Sequence, residues 1–128
     1  MVLDSSALVS ILLEEEGHET LVQKANSANL VVVSAPVLLE AAMVLSARFR
    51  QDARPVIAGL LRRLDAEIVD FNEQHYQAAV DAFLQFGKGR HPAGLSFGDC
   101  LCYALCAVSG LPLLSKSNDF ARTDIQCA

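Results

Sequence analysis

Four acidic residues are spaced so that a folded chain could bring their carboxylates together: Asp4, Glu40, Asp99 and Asp119. Ionised carboxylates at one place repel one another, and their pKa values rise. A hard divalent cation such as Mg²⁺ or Mn²⁺ removes that conflict because it prefers oxygen ligands. Such a cation can also activate a water molecule and orient a phosphate. The four acids therefore predict metal-dependent hydrolysis.

The alternatives to a catalytic role differ among these acids. Glu40 lies in an apolar stretch, where an unpaired ionised group is costly, and a metal is the economical partner. Asp4 closes an apolar strand and has little structural work to do there. Asp99 stands three residues after Ser96, as in a capping box, so by itself it is more typical of a helix cap than of an active site.

The elements that must position these acids alternate along the chain. Apolar runs predict strands at residues 1–4, 30–33, 67–71 and 113–114, and a short tail strand around 125–126 would add a fifth. Amphipathic segments between them predict helices. We expect one α/β domain over residues 1–128, with a parallel sheet of four to five short strands flanked by helices in three layers. Ligands of such sheets bind beyond the carboxyl ends of the strands.

Local signals set the predicted helix boundaries. Ser5 and Ser6 offer capping oxygens to the first helix, and Ser34 offers one to the third. Asn72 is predicted to cap a helix that runs to residue 86. Ser96 is predicted to cap the helix that Gly110 ends, since glycine is common directly after a helix. The remaining helices are expected at residues 18–25 and 54–64.

The composition limits the class of protein. Hydrophobic residues make up 52% of the chain and the net charge is −5, so a filled aliphatic core is expected, but not a global positive field for nucleic acid. No apolar run is long enough to cross a membrane, and the start of the chain lacks the features of a signal peptide, so a cytoplasmic location is expected. Three of the four cysteines fall in one helical segment and are read as small buried apolar residues.

Positive charge is concentrated locally. Lys88 and Arg90 lie in a glycine-rich loop just before Asp99, and we predict that they bind substrate. Five arginines lie in one short window and fit a solvated helix face, a partner-facing surface or a strip for phosphates equally well: Arg48, Arg50, Arg54, Arg62 and Arg63.

The order of these motifs resembles the PIN-domain ribonucleases, and among them the VapC toxins of bacterial toxin–antitoxin modules. The resemblance rests on Met-Val-Leu-Asp-Ser-Ser-Ala-Leu at the start, Pro-Val-Leu-Leu-Glu around Glu40, Gly-Asp-Cys around Asp99, and Asn-Asp-Phe-Ala-Arg-Thr-Asp-Ile near the end. It spans nearly the whole chain. Ser117 departs from it, because relatives commonly carry glycine there.

The resemblance implies a PIN fold that binds Mg²⁺ or Mn²⁺ through Asp4, Glu40, Asp99 and Asp119 and cleaves RNA endonucleolytically. Ser6 and Asp124 match supporting positions, Ser6 as a hydrogen-bond partner of the first acid. The resemblance also implies a homodimer and inhibition by a cognate antitoxin that can place a basic side chain among the acids.

The sequence leaves three alternative functions open. One is a PIN-like interaction module without catalytic activity, which the intact set of acids disfavours. Another is a receiver-type phosphoacceptor domain, which normally has paired acids near its first strand and a late lysine, for which only Lys116 is available. A haloacid-dehalogenase-type phosphatase needs a second aspartate at position 6, which is Ser6 in this chain.

Overall fold

A parallel four-stranded sheet forms the centre of the computed structural model, which describes all residues 1–128. The strands are β1 (Val2–Leu3), β2 (Val32–Ser34), β3 (Glu67–Val69) and β4 (Leu113–Leu114). The helices are α1 (Ser5–Leu12), α2 (His18–Ser27), α3 (Ala35–Phe49), α4 (Arg54–Arg63), α5 (Glu73–Phe86) and α6 (Phe97–Ser109), and a 3₁₀ turn covers Asp119–Arg122. The predicted α/β architecture is confirmed.

The strand order β3-β2-β1-β4 decides where a site can form. Val2 of β1 aligns with Val32 on one side and with Leu113 on the other. The chain therefore winds outward from β1 to β3 and then crosses back to place β4 on the opposite side of β1. Loops leaving the carboxyl ends of β1 and β4 diverge at this reversal, where open α/β sheets bind their ligands.

Burial explains why such short strands suffice. Val2, Leu3 and Leu113 are fully buried, because helices cover both faces of the central strands. Helices α1 to α4 contact one another, and α5 packs along α6 as a pair. Apolar side chains in both layers remove water from the sheet, which is the main stabilising contribution to a fold of this kind.

The structure corrects three local predictions. Asp4 itself, and not Ser5 or Ser6, is the N-cap of α1, because its side chain accepts the Ala7 N–H. Ser34 stands at the N-cap of α3, but its side chain makes no capping hydrogen bond. The tail forms no fifth strand. A single bridge joins Cys127 to Leu113, whose amide donates to the Gln126 carbonyl at 2.8 Å.

The cysteines form no disulfide. Cys100, Cys102 and Cys106 are buried in α6, as the small apolar residues that the sequence predicts, whereas Cys127 is exposed. Burial raises the pKa of the Cys106 thiol to about 12, so this group stays protonated and unreactive at neutral pH. No helix is both long and apolar enough to span a membrane.

Asn72 starts α5 as the sequence predicts. Its side-chain oxygen accepts the His75 N–H at 3.2 Å, and the His75 ring accepts the Asn72 N–H at 3.1 Å. Replacing Asn72 by Ala should lower the free energy of unfolding by ~1 kcal/mol, because it leaves a helix donor unpaired. Urea denaturation measures the change. Asn72→Asp is the control and should retain most of the stability, since it keeps the capping oxygen; equal losses in both variants would contradict the assignment.

Candidate active site

Asp4 is the most buried acid of the chain, with 4% of its surface exposed. One carboxylate oxygen accepts the Ala7 N–H and the Ser6 hydroxyl, each at 2.8 Å, and the other accepts the Ser115 hydroxyl. Burial raises the pKa of Asp4, the three hydrogen bonds oppose that rise, and the charge of Asp99 adds to it. The site therefore holds a carboxylate that is satisfied by hydrogen bonds but has no positively charged partner.

Ser6 joins Asp4 to the loop that follows β4. Its hydroxyl oxygen accepts the Lys116 N–H at 3.0 Å and lies 3.3 Å from the Ser115 hydroxyl oxygen. The predicted partnership of Ser6 with Asp4 is present in the structure. Ser115 is a site residue that the sequence reasoning missed. The available signal was its place directly after β4, since β1 and β4 run parallel and Asp4 directly follows β1.

Asp99 lies in the first turn of α6, where the sequence predicts both a helix cap and a member of the acidic group. Its side chain accepts the Ser96 N–H at 2.9 Å, and its own N–H donates to the Ser96 hydroxyl oxygen at 3.2 Å. The group is half-buried. Burial raises the pKa of Asp99, and the charges of Asp119 and Glu40 raise it further. The pKa of Asp99 is thus raised by the charges of two other acids of the set.

Glu40 reaches the same region from α3. Its carboxylate packs against the backbone of Gly98, the residue before Asp99. A β-carbon built at position 98 would lie 2.5 Å from Oε2 of Glu40 and 3.0 Å from Oε1. A side chain at position 98 would therefore push this carboxylate away from the start of α6. The sequence signal was the Gly-Asp pair, in which Gly98 is the spacer.

Asp119 approaches from the loop after β4 and is exposed. Its N–H donates to the Ser117 hydroxyl oxygen at 3.1 Å, while the Ser117 N–H donates to the Ser115 hydroxyl oxygen at 3.0 Å. Phe120 is fully buried and anchors this turn in the core. Serine at position 117 therefore supports the turn with its own side chain.

Asp4 and Asp119 follow the neighbouring strands β1 and β4, and the charges of Asp119 and Glu40 raise the pKa of Asp99, whose charge in turn raises that of Asp4. No three side chains of Asp, Glu, His or Cys form a closed metal-binding group. The donor set nonetheless suits a hard cation that keeps part of its water shell, because such a cation needs few direct carboxylates. Buried and mutually repelling carboxylates also gain most from such a cation.

Asp124 lies apart from this group. Its carboxylate accepts the Tyr103 hydroxyl at 2.7 Å. Burial raises the pKa of Tyr103, and the Asp124 carboxylate raises it further. This contact ties the tail of the chain to α6. A supporting role for Asp124 at the acids stays a prediction.

The basic residues near the acids are exposed. Lys88 and Arg90 follow α5, and the Arg90 guanidinium lies 5.1 Å from the centre of the Phe83 ring. Lys116 follows Ser115, but its ammonium pairs with Glu15 at 3.0 Å. This pairing differs from the arrangement of a receiver domain, in which the late lysine belongs to the phosphoacceptor site.

Known proteins match this chain over nearly its whole length. A family model described as PIN domain matches residues 1–126. Ribonuclease VapC36 of Mycobacterium tuberculosis is 40% identical over 127 residues, which cover 98% of this chain and 91% of that protein. Ribonuclease VapC of Mycolicibacterium smegmatis is 39% identical over 125 residues, which cover 98% of this chain and 97% of that protein.

Two solved structures share the fold. The chain matches M. tuberculosis VapC20, described as a toxin that cleaves the sarcin–ricin loop, with a TM-score of 0.78 at 16% identity, covering 97% of this chain and 95% of that one. It also matches a chain of a toxin–antitoxin complex from Klebsiella pneumoniae with a TM-score of 0.70 at 17% identity, covering 96% and 92% respectively. Together, the family model, the relatives near 40% identity and the shared fold show that this chain belongs to the VapC ribonucleases of the PIN-domain family.

Proposed function

We propose that this protein is the toxin of a toxin–antitoxin module and cleaves cellular RNA endonucleolytically, with Mg²⁺ or Mn²⁺ as cofactor. The observation that carries the proposal is the buried Asp4 carboxylate at the reversal of the sheet, held by Ser6 and Ser115, together with the Glu40 carboxylate packed against Gly98 beside Asp99. Relatives named ribonucleases support RNA as the substrate. A cytoplasmic location follows from such a substrate.

Asp4 and Asp99 are the residues that would hold the cation, with Glu40 and Asp119 beside them. When bound, the cation would supply charge neutralisation at the scissile phosphate and a lowered pKa for an attacking water. Ser6 and Ser115 hold the Asp4 carboxylate in one orientation. Gly98 leaves the space that Glu40 occupies. These contacts pre-organise the carboxylates, which is the contribution that the chain itself makes to catalysis.

We propose different surfaces for the RNA substrate and for the protein partners. Lys88 and Arg90 are exposed beside the start of α6 and would contact phosphates of the RNA. Leu39 and Met43 of α3 are 61% and 66% exposed, and we propose them as part of a homodimer or antitoxin contact. Solved relatives described as toxin–antitoxin complexes support an antitoxin as the inhibitor. A basic side chain of that antitoxin would satisfy the same carboxylates as the metal.

Asp99→Asn should lower Mg²⁺-dependent cleavage of RNA by about 100-fold or more, because it removes a charged ligand while keeping the capping oxygen. Gel-based cleavage by rigorously purified protein measures the change. Asp65→Asn is the matched control, since Asp65 is exposed in a turn and contacts none of the four acids. Unchanged cleavage by Asp99→Asn would refute the proposed site.

Thermal unfolding gives a second test of the same variant. The raised pKa of Asp99 means that the folded protein binds a proton more readily than the unfolded chain. Stability of the metal-free protein is therefore lost as the pH rises through the folded pKa. At neutral pH with a chelator, Asp99→Asn should unfold at a higher temperature than the wild type. Added Mg²⁺ should stabilise the wild type more than the variant.

Gly98→Ala should weaken Mg²⁺ binding and cleavage by about 10- to 100-fold, because the added methyl group displaces the Glu40 carboxylate. Alanine favours helices over glycine, so the loss of activity should come without a comparable loss of stability. Gly59→Ala in α4 is the control, since a β-carbon there meets nothing within 4 Å. It should leave cleavage unchanged and stabilise the fold by roughly 0.5–1 kcal/mol. Full activity in Gly98→Ala would show that the placement of Glu40 is unimportant.

Ser115→Ala should lower Mg²⁺ affinity by about 10- to 100-fold, since it removes a hydrogen bond that orients Asp4. Isothermal titration with Mg²⁺ measures the affinity. Ser109→Ala serves as the control, because the Ser109 hydroxyl bonds only within α6 and its turn. Equal affinities in the two variants would remove Ser115 from the site.

A further inference from the structure

The side chain of Phe97 is 82% exposed, the highest exposure among the large apolar side chains that lie on the surface. It is the first residue of α6 and stands two residues before Asp99. An aromatic ring with this exposure gains almost nothing from the core, although it stands close in the chain to Asp99. Such a ring suggests a ligand with a flat apolar face.

Phe97 lines a cavity of about 740 Å³ that we call the aromatic cavity. Two further rings contribute to its wall, those of Phe71 and Tyr76, and Ala35 and Pro36 close it at the start of α3. A nucleobase is planar and binds by stacking on aromatic rings. The size and the lining of the aromatic cavity suit one such base.

Two residues that line the aromatic cavity, Pro36 and Phe97, stand close in the chain to residues of the acidic site. Phe97 is covalently joined to Gly98, against which the Glu40 carboxylate packs. Pro36 and Glu40 are four residues apart on α3 and therefore lie on the same face of that helix. A nucleotide whose phosphate lies at these carboxylates would therefore have its base near the Phe97 ring.

Charge differs between the two sides of Phe97. A second cavity of about 470 Å³, also lined by Phe97, includes Lys88 and Phe83, and Arg90 lies over the Phe83 ring. Phosphates of an RNA strand would meet two cations on that side. On the other side, Asp70 lines the aromatic cavity and would repel a phosphate while accepting hydrogen bonds from a base.

We propose that Phe97 is a base-stacking platform, and that the base next to the cleaved phosphate enters the aromatic cavity while the strand continues past Lys88 and Arg90. This inference rests on the proposed RNA substrate. A second copy of the chain is the competing occupant, because Tyr76, Val80 and Leu84 of α5 are also exposed. Charge complementarity at Lys88 and the adjacency to Asp99 favour RNA.

Fluorescence provides a direct test, because the chain contains no tryptophan. Phe97→Trp combined with Asp99→Asn places one indole at the proposed platform and suppresses cleavage. A short single-stranded RNA of mixed sequence, added with Mg²⁺, should quench this fluorescence saturably through stacking. An abasic oligonucleotide of equal length, which supplies phosphates without bases, should not. Phe49→Trp in the same Asp99→Asn background is the matched control, since Phe49 lies at the far end of α3, and it should show no quenching.

Kinetics give an independent readout in the otherwise wild-type protein. Phe97→Ala should lower kcat/KM for RNA cleavage by about 10- to 100-fold, whereas Phe97→Tyr and Phe97→Trp should restore most of it because they keep a stacking face. Phe97→Leu, which is apolar but not aromatic, should not restore it. Unfolding temperatures should change little in this series, since the side chain is exposed.

Several outcomes would overturn the proposal. They are the absence of quenching by RNA, equal quenching by the abasic oligonucleotide, and full activity in Phe97→Ala. A spectral change that depends on protein concentration without RNA, together with self-association in sedimentation that Phe97→Ala abolishes, would assign the ring to a second copy instead. If the wild type does not cleave RNA at all, the proposed function fails, whereas cleavage that is indifferent to Phe97 refutes only the stacking platform.

Discussion

The burial of the Asp4 carboxylate is the constraint on which the site depends. A buried carboxylate must be satisfied, and here Ala7, Ser6 and Ser115 donate to it. The same hydrogen bonds start α1 and fix the loop after β4. The start of α1 and the loop after β4 are more than a hundred residues apart in sequence, yet both donate hydrogen bonds to the Asp4 carboxylate. The same loop contains Asp119. Because no cation of the chain pairs with Asp4, its charge remains available to a bound metal.

The remaining acids are added to this centre by helix starts and by close packing. Asp99 serves its own helix as a capping residue and at the same time contributes charge to the site, so structural and catalytic demands on it agree. The Glu40 carboxylate packs against Gly98, where the missing β-carbon leaves space for it beside Asp99. The resulting repulsion destabilises the folded protein without metal, and the proposed divalent cation would relieve it and so stabilise the fold.

The acidic net charge of the chain is compatible with an RNA substrate because the charges are unevenly placed. Several acids belong to the proposed metal site, where bound cations would offset them, while Lys88 and Arg90 are exposed. Exposed apolar side chains are likewise grouped, on α3 and α5 and at Phe97. The proposed metal site, the proposed substrate surface and the exposed apolar side chains therefore involve different residues, so that all three can coexist on a small chain.

The sequence alone determined the α/β class and the element order, because apolar runs, Asn72, Ser96 and Gly110 act through neighbours in the chain, and it predicted the four acids as a site. The sequence did not determine that Asp4 caps α1, that the tail adds only one bridge, or that Ser115 belongs to the site. The last two of these features depend on which strand lies beside β1, because both involve β4 or the loop after it. The strand order places β4 next to β1, and only that tertiary choice brings Ser115 to Asp4 and leaves Glu40 against Gly98, because contacts between distant segments are set by packing and not by local sequence.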